Sequence, residues 1–115
     1  MQQQVEFNFT PEQRRAALES RLERAFVEFH EKNPSVYERL VKLARDLRVR
    51  NPNRKLGIGM LYEVVRWMHY METTDVEYKL NNNHRSRYAR MIMRNEADLA
   101  DAFELRELAD ERGAP

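Results

Sequence analysis

The side chains with the most distinctive chemistry lie between residues 81 and 95, where asparagine and arginine recur without any acid. If this segment is a helix, Arg87, Arg90 and Arg94 fall within about 60° of one another on one side. Like charges at this spacing repel, so we expect the three guanidinium groups to point outward, unpaired, toward an anionic partner. Arginine and asparagine are also the side chains that contact phosphates and purine edges.

A second basic block covers residues 42–55, which contain six basic residues and one acid. Part of this block ends a predicted helix, where the helix dipole favours cations without any ligand. Arg54 and Lys55 follow in a predicted loop over 51–57, so they suit contacts to a phosphate backbone. The predicted nucleic-acid-binding residues are Arg54, Lys55, Asn82, Asn83, Arg85, Ser86, Arg87, Arg90 and Arg94.

An acidic stretch offers an alternative to a nucleic-acid ligand. Residues 96–112 contain seven acids and two arginines, and four of these acids could pair with the arginines of 81–95: Glu96, Asp98, Asp101 and Glu104. The sequence therefore leaves two functions open. The first is a small, non-catalytic nucleic-acid-binding protein, with duplex DNA as the expected ligand. The second is a protein-interaction module that docks on a bacterial protein, with complementary charge on its partner.

Several kinds of chemistry have no support in the sequence. Cysteine is absent, which excludes a thiol nucleophile and a disulfide framework. The three histidines, His30, His69 and His84, lie on different predicted elements without metal-ligand spacing. Gly57 and Gly59 belong to no phosphate-binding loop motif, and we interpret them as turn and packing positions. We therefore expect no catalytic residues, no metal and no cofactor.

Composition predicts a single all-α domain. The 115 residues are 42% hydrophobic and 34% charged, with only 3 Gly and 4 Pro, which argues against an all-β fold rich in turns. No apolar run approaches the roughly 20 residues of a membrane span, and the N-terminus lacks the pattern of a signal peptide. We expect a cytoplasmic protein without membrane association.

Periodicity and caps predict a compact bundle of about five helices. An extended arm or strand occupies 1–10, a helical core occupies 11–109, and a frayed tail follows at 110–115. The predicted helices are 11–32, 34–49, 58–72, 83–94 and 96–109. Alternation over 5–9 and 76–80 suggests a minor two-stranded ribbon. The helices 58–72 and 83–94 would form a helix-turn-helix or winged-helix-like unit, although the long connection at 73–82 fits a tight turn poorly.

Apolar stripes on these helices predict the core. The inward-facing residues on the first helix are Leu18, Leu22, Ala25, Phe26 and Phe29, and on the third Ile58, Leu61, Val64, Val65 and Met68. The apolar stripe of the predicted fifth helix consists of Leu99, Ala102, Phe103 and Leu108. Methionines such as Met60 and Met71 are expected to fill core gaps. Trp67 is expected at the edge of its helix's apolar face, and a homodimer could use Trp67, Tyr70 or Met71 as its interface.

The chain also resembles a family of small proteins known from phage, prophage and bacterial genomes. The residues that carry the resemblance span about 26–106, and the most specific of them are Gly57-Ile58-Gly59-Met60-Leu61, Glu63-Val64, Arg66-Trp67 and the run from Lys79 to Arg90. The family has no assigned activity. The resemblance therefore implies a phage or mobile-element context. By analogy it implies either a DNA-binding regulator or, for the protein-interaction alternative, a phage inhibitor of a host defence enzyme, but it supplies no functional residues.

Overall fold

The computed structural model describes residues 9–73 and 80–105, which form an all-α structure of four α-helices. The helices are α1 (Pro11–Lys32), α2 (Pro34–Arg50), α3 (Ile58–Glu72) and α4 (Arg85–Asn95). Two single 3-10 turns, Asn82–His84 and Ala97–Leu99, flank α4. The described ranges contain no strand, and the predicted ribbon falls largely outside them, because residues 5–8 and 76–79 are not described. The all-α class is confirmed.

Local sequence signals determine where the first two helices begin. The Thr10 hydroxyl accepts a hydrogen bond from the Gln13 N–H at 3.1 Å, and the Gln13 side chain accepts one from the Thr10 N–H at 2.8 Å. This capping box satisfies donors that a helix start leaves open. Pro11 and Pro34 each occupy a first helical position, where the missing N–H costs nothing. The predicted beginnings of these helices are confirmed.

The core is centred on aromatic side chains from α1, α3 and α4. Phe26 meets Tyr88 edge-on with ring centroids 4.8 Å apart, and Tyr62 lies 6.3 Å from Tyr88. The Tyr62 hydroxyl donates to the Asn81 carbonyl at 2.7 Å, so this buried phenol is satisfied. Leu40 and Ala44 of α2 complete the same cluster. The connection before α4 is thereby fixed to α3.

The predicted fifth helix is wrong over the described residues 96–105. Leu99, Ala102 and Phe103 are buried as expected, but only one 3-10 turn forms there. The backbone of this segment bonds instead to Leu56, whose N–H donates to the Ala102 carbonyl at 2.8 Å and whose carbonyl accepts from the Glu104 N–H at 3.3 Å. This parallel bridge satisfies groups that a helix would have paired internally, so tertiary contacts override helix propensity.

The predicted inward stripes are only partly confirmed. Phe26 is the one fully buried residue among those of α1 that are described, and Ala25 is exposed. On α3, Leu61 and Val65 are buried, whereas Val64, which was expected to face inward, is 38% exposed. The exposed large side chains also include two methionines expected in the core and the tryptophan expected at its edge: Met60, Met71 and Trp67. The outer face of α3 is thus apolar and open to solvent.

Arg87 does not point outward, so the predicted arginine stripe is wrong at this position. Its side chain is 5% exposed and forms ion pairs with Glu19 and Glu23 of α1, the second at 3.1 Å. A guanidinium N–H also donates to the Asn83 carbonyl at 3.2 Å. The two glutamates lie one helical turn apart and repel each other, and a buried arginine between them removes that repulsion. Arg87 therefore ties α4 to α1.

The relation of α3 to α4 differs from a tight helix-turn-helix. Nine residues separate Glu72 from the 3-10 turn that starts at Asn82, whereas the motif uses a turn of roughly three or four residues.

A further finding concerns membranes: none of the helices in the described ranges combines the length and the apolar character needed for a membrane span.

We predict that Arg87→Ala lowers the free energy of unfolding by about 2–3 kcal/mol, because it leaves Glu19 and Glu23 close together without a cation. The value lies below that for a fully buried pair, since the Glu23 side chain is 54% exposed. Arg94→Ala on the same helix removes an exposed charge and should stay within about 0.5 kcal/mol of the parent. Urea unfolding of both variants measures the difference, and equal midpoints would contradict a structural role for Arg87.

Candidate nucleic-acid interface

The acidic segment 96–101 pairs with α2 rather than with the arginines of α4. Arg45 bonds Glu96 at 2.7 Å and Asp98 at 2.9 Å, and Arg48 bonds Asp101 at 2.7 Å. The hydrogen bond from Arg45 lowers the pKa of the Asp98 carboxyl below its usual range. The acids of residues 96–101 therefore neutralise arginines of the second basic block, residues 42–55, instead of the arginines of 81–95 with which they were expected to pair.

A tyrosine strengthens the attachment of this segment. The Tyr37 hydroxyl donates to the second carboxylate oxygen of Glu96 at 2.7 Å. Burial and this hydrogen bond raise the pKa of Tyr37 to about 12, so the phenol stays protonated and keeps donating at any physiological pH. Glu96 therefore holds two partners from α2 at once.

A cavity of about 570 Å³ opens between three parts of the chain, residues 55–59, 82–86 and 104–105. The segment after α2, the beginning of α4 and the residues that follow the acidic segment each contribute to it. Its size lies within the range of sites that bind small ligands or parts of larger ones. The lining residues are Lys55, Leu56, Gly57, Ile58, Gly59, Asn82, Arg85, Ser86, Glu104 and Leu105.

The beginning of α3 contributes positive potential to this cavity. Gly57 is the N-cap and has no side chain to accept from the first N–H groups, and the first turn of α3 contains no acid. These N–H groups carry the positive end of the helix dipole. Arg85 lies against the same turn, because a Cβ added to Gly59 would be 3.4 Å from its guanidinium. A cation beside a positive helix end is unfavourable unless an anion joins them.

Polar side chains around the opening are held in place by the fold. The Lys55 ammonium donates to the Asp101 carbonyl at 2.6 Å, which uses one of its three donors. Arg66 donates to Asn82 at 2.6 Å and to the Leu80 carbonyl at 2.8 Å. The Ser86 hydroxyl is shielded from solvent and has no hydrogen-bond partner within the described part of the chain. The cavity therefore offers donors whose positions are largely fixed.

One acid lies among these donors. Glu104 lines the cavity and is exposed, and none of the described basic residues lies within ion-pair distance of its carboxylate. Among the described residues of the lining, the charged ones are Lys55, Arg85 and Glu104, which give a net charge of +1 before the dipole of α3 is counted. Glu104 should weaken, but not cancel, the attraction of an anion.

The structure brings four of the nine predicted binding residues together at this cavity: Lys55, Asn82, Arg85 and Ser86. The other five do not line it. Arg54 and Asn83 are exposed nearby in sequence, Arg94 is exposed at the last turn of α4, and Arg90 is half-buried. Arg87 is committed to the ion pairs described above. The predicted residues that the structure brings together therefore lie at and just before the beginning of α4 and at Lys55, rather than along the full length of α4.

Sequence analysis missed a basic face on α1. Arg14, Arg21 and Arg24 line a shallow depression of about 450 Å³ together with Phe9, Ala17 and Leu18. Their spacing of seven and three residues places them on one side of the helix, opposite the glutamates that bind Arg87. The same test of helical spacing that selected the arginines of α4 would have found them.

His84 occupies a buried position directly before α4. Its ring stacks on Phe29 with centroids 5.0 Å apart and lies 5.8 Å from Phe26. Burial, with a smaller contribution from the nearby Arg87 charge, lowers the pKa of His84 below its usual value of 6.5. His84 is therefore neutral in the folded protein at neutral pH and acts as a packing residue.

Neither a search for metal-binding groups nor a comparison with known proteins indicates a function. Residues 9–73 and 80–105 contain no group of three or more His, Asp or Glu side chains placed to hold a metal ion. No protein-family profile, curated protein or solved structure gives a significant match to this chain. The resemblance to a phage and bacterial family accordingly stays a prediction.

The buried His84 predicts a pH dependence of stability. Because its pKa is lowered on folding, the unfolded chain takes up a proton at a higher pH than the folded protein, and stability falls as the pH drops below about 6.5. His84→Phe keeps an aromatic ring but cannot titrate. Thermal unfolding at about pH 7.5 and about pH 5.5 should show a smaller loss of midpoint in the variant than in the parent. An identical loss in both would contradict this account.

Proposed function

We propose that this protein is a non-catalytic nucleic-acid-binding protein that holds a backbone phosphate in the cavity between α3 and α4. The proposed ligand is duplex DNA, and the proposed location is the cytoplasm. The proposed action is regulatory: the bound protein occupies a site on the DNA. The observation that carries the proposal is the convergence of Lys55 and Arg85 on the uncapped beginning of α3. The phage or mobile-element context rests on the family resemblance alone.

The chemistry of the cavity matches a phosphate diester. Helix N-termini bind phosphate through backbone N–H groups and the positive dipole end, and arginine adds paired donors in a plane. An anion in this position would also relieve the repulsion between Arg85 and the α3 dipole, so the free protein is arranged in advance for it.

Charged residues outside the cavity extend the proposed interface. Arg54 and Asn83 are exposed in the segments that enter it from either side, and Arg94 is exposed farther along α4. Contacts of this kind fix the register of a duplex without reading its sequence. Arg87 is not part of the proposed interface, since its guanidinium is buried against α1.

We predict that Lys55→Ala/Arg85→Ala weakens binding of a labelled DNA duplex by about 10–100-fold and lowers the log–log salt slope by about one unit, because both side chains hold the same phosphate. The matched control is Lys32→Ala/Lys42→Ala, which removes the same charge from exposed positions on α1 and α2. Fluorescence anisotropy between about 25 and 200 mM salt provides both quantities. The proposal fails if the parent binds no duplex at low salt, or if both double variants show the same slope.

Glu104→Gln tests the cavity in the opposite direction. Removing the one acid of the lining should tighten binding of the same duplex about 2–5-fold, because it removes a repulsive charge near the proposed phosphate. Glu38→Gln, an exposed acid on α2, serves as the control for net charge. If both substitutions tighten binding equally, the effect comes from overall charge and the cavity is not the site.

A further inference from the structure

The outer face of α3 carries an apolar stripe that the proposed function does not use. We define the α3 stripe as Met60, Val64, Trp67 and Met71, which are 56%, 38%, 63% and 69% exposed. Their spacing of four, three and four residues is that of a two-stranded coiled coil, and all four fall within about 60° around the helix. Tyr70, also exposed, borders them. A continuous apolar patch on a soluble protein marks an interaction surface.

We propose that a second copy of this chain covers the α3 stripe, forming a two-fold dimer in which the two α3 helices pack antiparallel. In a two-fold contact the same patch must complement itself. The α3 stripe does so: pairing around a point between Val64 and Trp67 places the small Val64 opposite the partner's Trp67. The same register places Met60 opposite the partner's Met71. The small valine then accepts the tryptophan ring at the centre of the contact, and flexible methionines pair at its two ends.

A parallel arrangement of the two helices is disfavoured on two grounds. It would set Trp67 against the partner's Trp67, which leaves no small residue to accept the ring. It would also bring the two cavities together at one end, with Lys55 and Arg85 of both subunits as neighbours. Antiparallel packing separates these positive sites and opposes the two helix dipoles.

Charged residues of α3 raise no obstacle to this contact. Glu63 pairs with Arg66 on the same helix, as its i, i+3 spacing predicts, and Glu72 pairs with Arg39 of α2 at 2.6 Å. The flanks of the stripe are therefore neutral, and two copies can approach without burying an unpaired charge.

The available area is sufficient for a specific dimer. Covering the exposed parts of the stripe and Tyr70 removes on the order of 500–600 Å² per subunit, since one aromatic side chain buries roughly 150–250 Å². Two subunits together reach about 1,000–1,200 Å², which clears the roughly 1,000 Å² expected of a specific interface. Tryptophan and methionine, which make up most of the stripe, are also enriched in such interfaces.

Sedimentation equilibrium of the full chain without nucleic acid tests this proposal. The parent should be a dimer at micromolar concentration, and Trp67→Glu should weaken association by at least about 30-fold, because it buries two unpaired acids at the centre of the contact. Val49→Glu is the matched control, since Val49 is 82% exposed on α2 and outside the stripe. Circular dichroism confirms that both variants are folded. A monomeric parent, or equal association of the two variants, would overturn the proposal.

Cysteine cross-linking tests the direction of packing, and the chain has no cysteine of its own to interfere. Met60→Cys/Met71→Cys should form covalent dimers with a bifunctional thiol reagent that spans the interaxial distance of about 8–10 Å, while neither single variant should. The two positions lie about 16 Å apart along one helix, so the reagent cannot join them within a subunit. Cross-linking of Met60→Cys alone indicates parallel packing, and no cross-linking of the double variant refutes the contact; either result overturns the antiparallel dimer.

Discussion

The attachment of the acidic segment 96–101 to α2 is the interaction on which the candidate site depends. It holds Leu56 beside Phe103 and so closes one side of the cavity. The exposed ion pairs of Arg45 and Arg48 contribute roughly 0–1 kcal/mol each, whereas burial of Leu99 and of Phe103 contributes about 1.5–3 kcal/mol each. Apolar burial therefore holds the segment in place. The ion pairs determine its register, since a shift of one residue would separate Asp98 and Asp101 from their arginines.

The same attachment decides which cations remain for a ligand. Arg45 and Arg48 belong to the most basic stretch of the sequence, yet both are occupied by acids from the same chain. Arg87 is occupied in the same way by α1. What remains near the cavity is a small set of donors, and their effect depends on placement rather than number. Lys55 and Arg85 act beside the dipole of α3 inside a concave surface, where a fixed charge has more influence than on an open helix face.

Sequence patterns predicted the features that depend on neighbouring residues. The capping box at Thr10 and the prolines at 11 and 34 are local signals, and the first two helices begin where these signals indicate. Sequence patterns failed where contacts between segments distant in the chain determine the local structure. The spacing of Leu99 and Phe103 suits a helix, but the backbone of Ala102 and Glu104 bonds to Leu56 instead. Helical spacing placed Arg87 on a face without indicating that Glu19 and Glu23 lie opposite it. The sequence predicted which types of residue line the cavity, but it did not predict that Lys55 and Arg85 lie at the same cavity.

Helix α3 links the two surfaces proposed for this protein. Its first turn contributes to the cavity, and its outer face forms the α3 stripe. In an antiparallel dimer the two cavities would lie at opposite ends of the helix pair, separated by about 22 Å along the axis of a 15-residue helix. Two phosphate sites fixed on one rigid body bind a polyanion more tightly than either alone, because the second contact forms at high effective concentration. A cavity with a net charge of only +1 can therefore be weak by itself and still serve a nucleic-acid-binding protein that acts as a dimer.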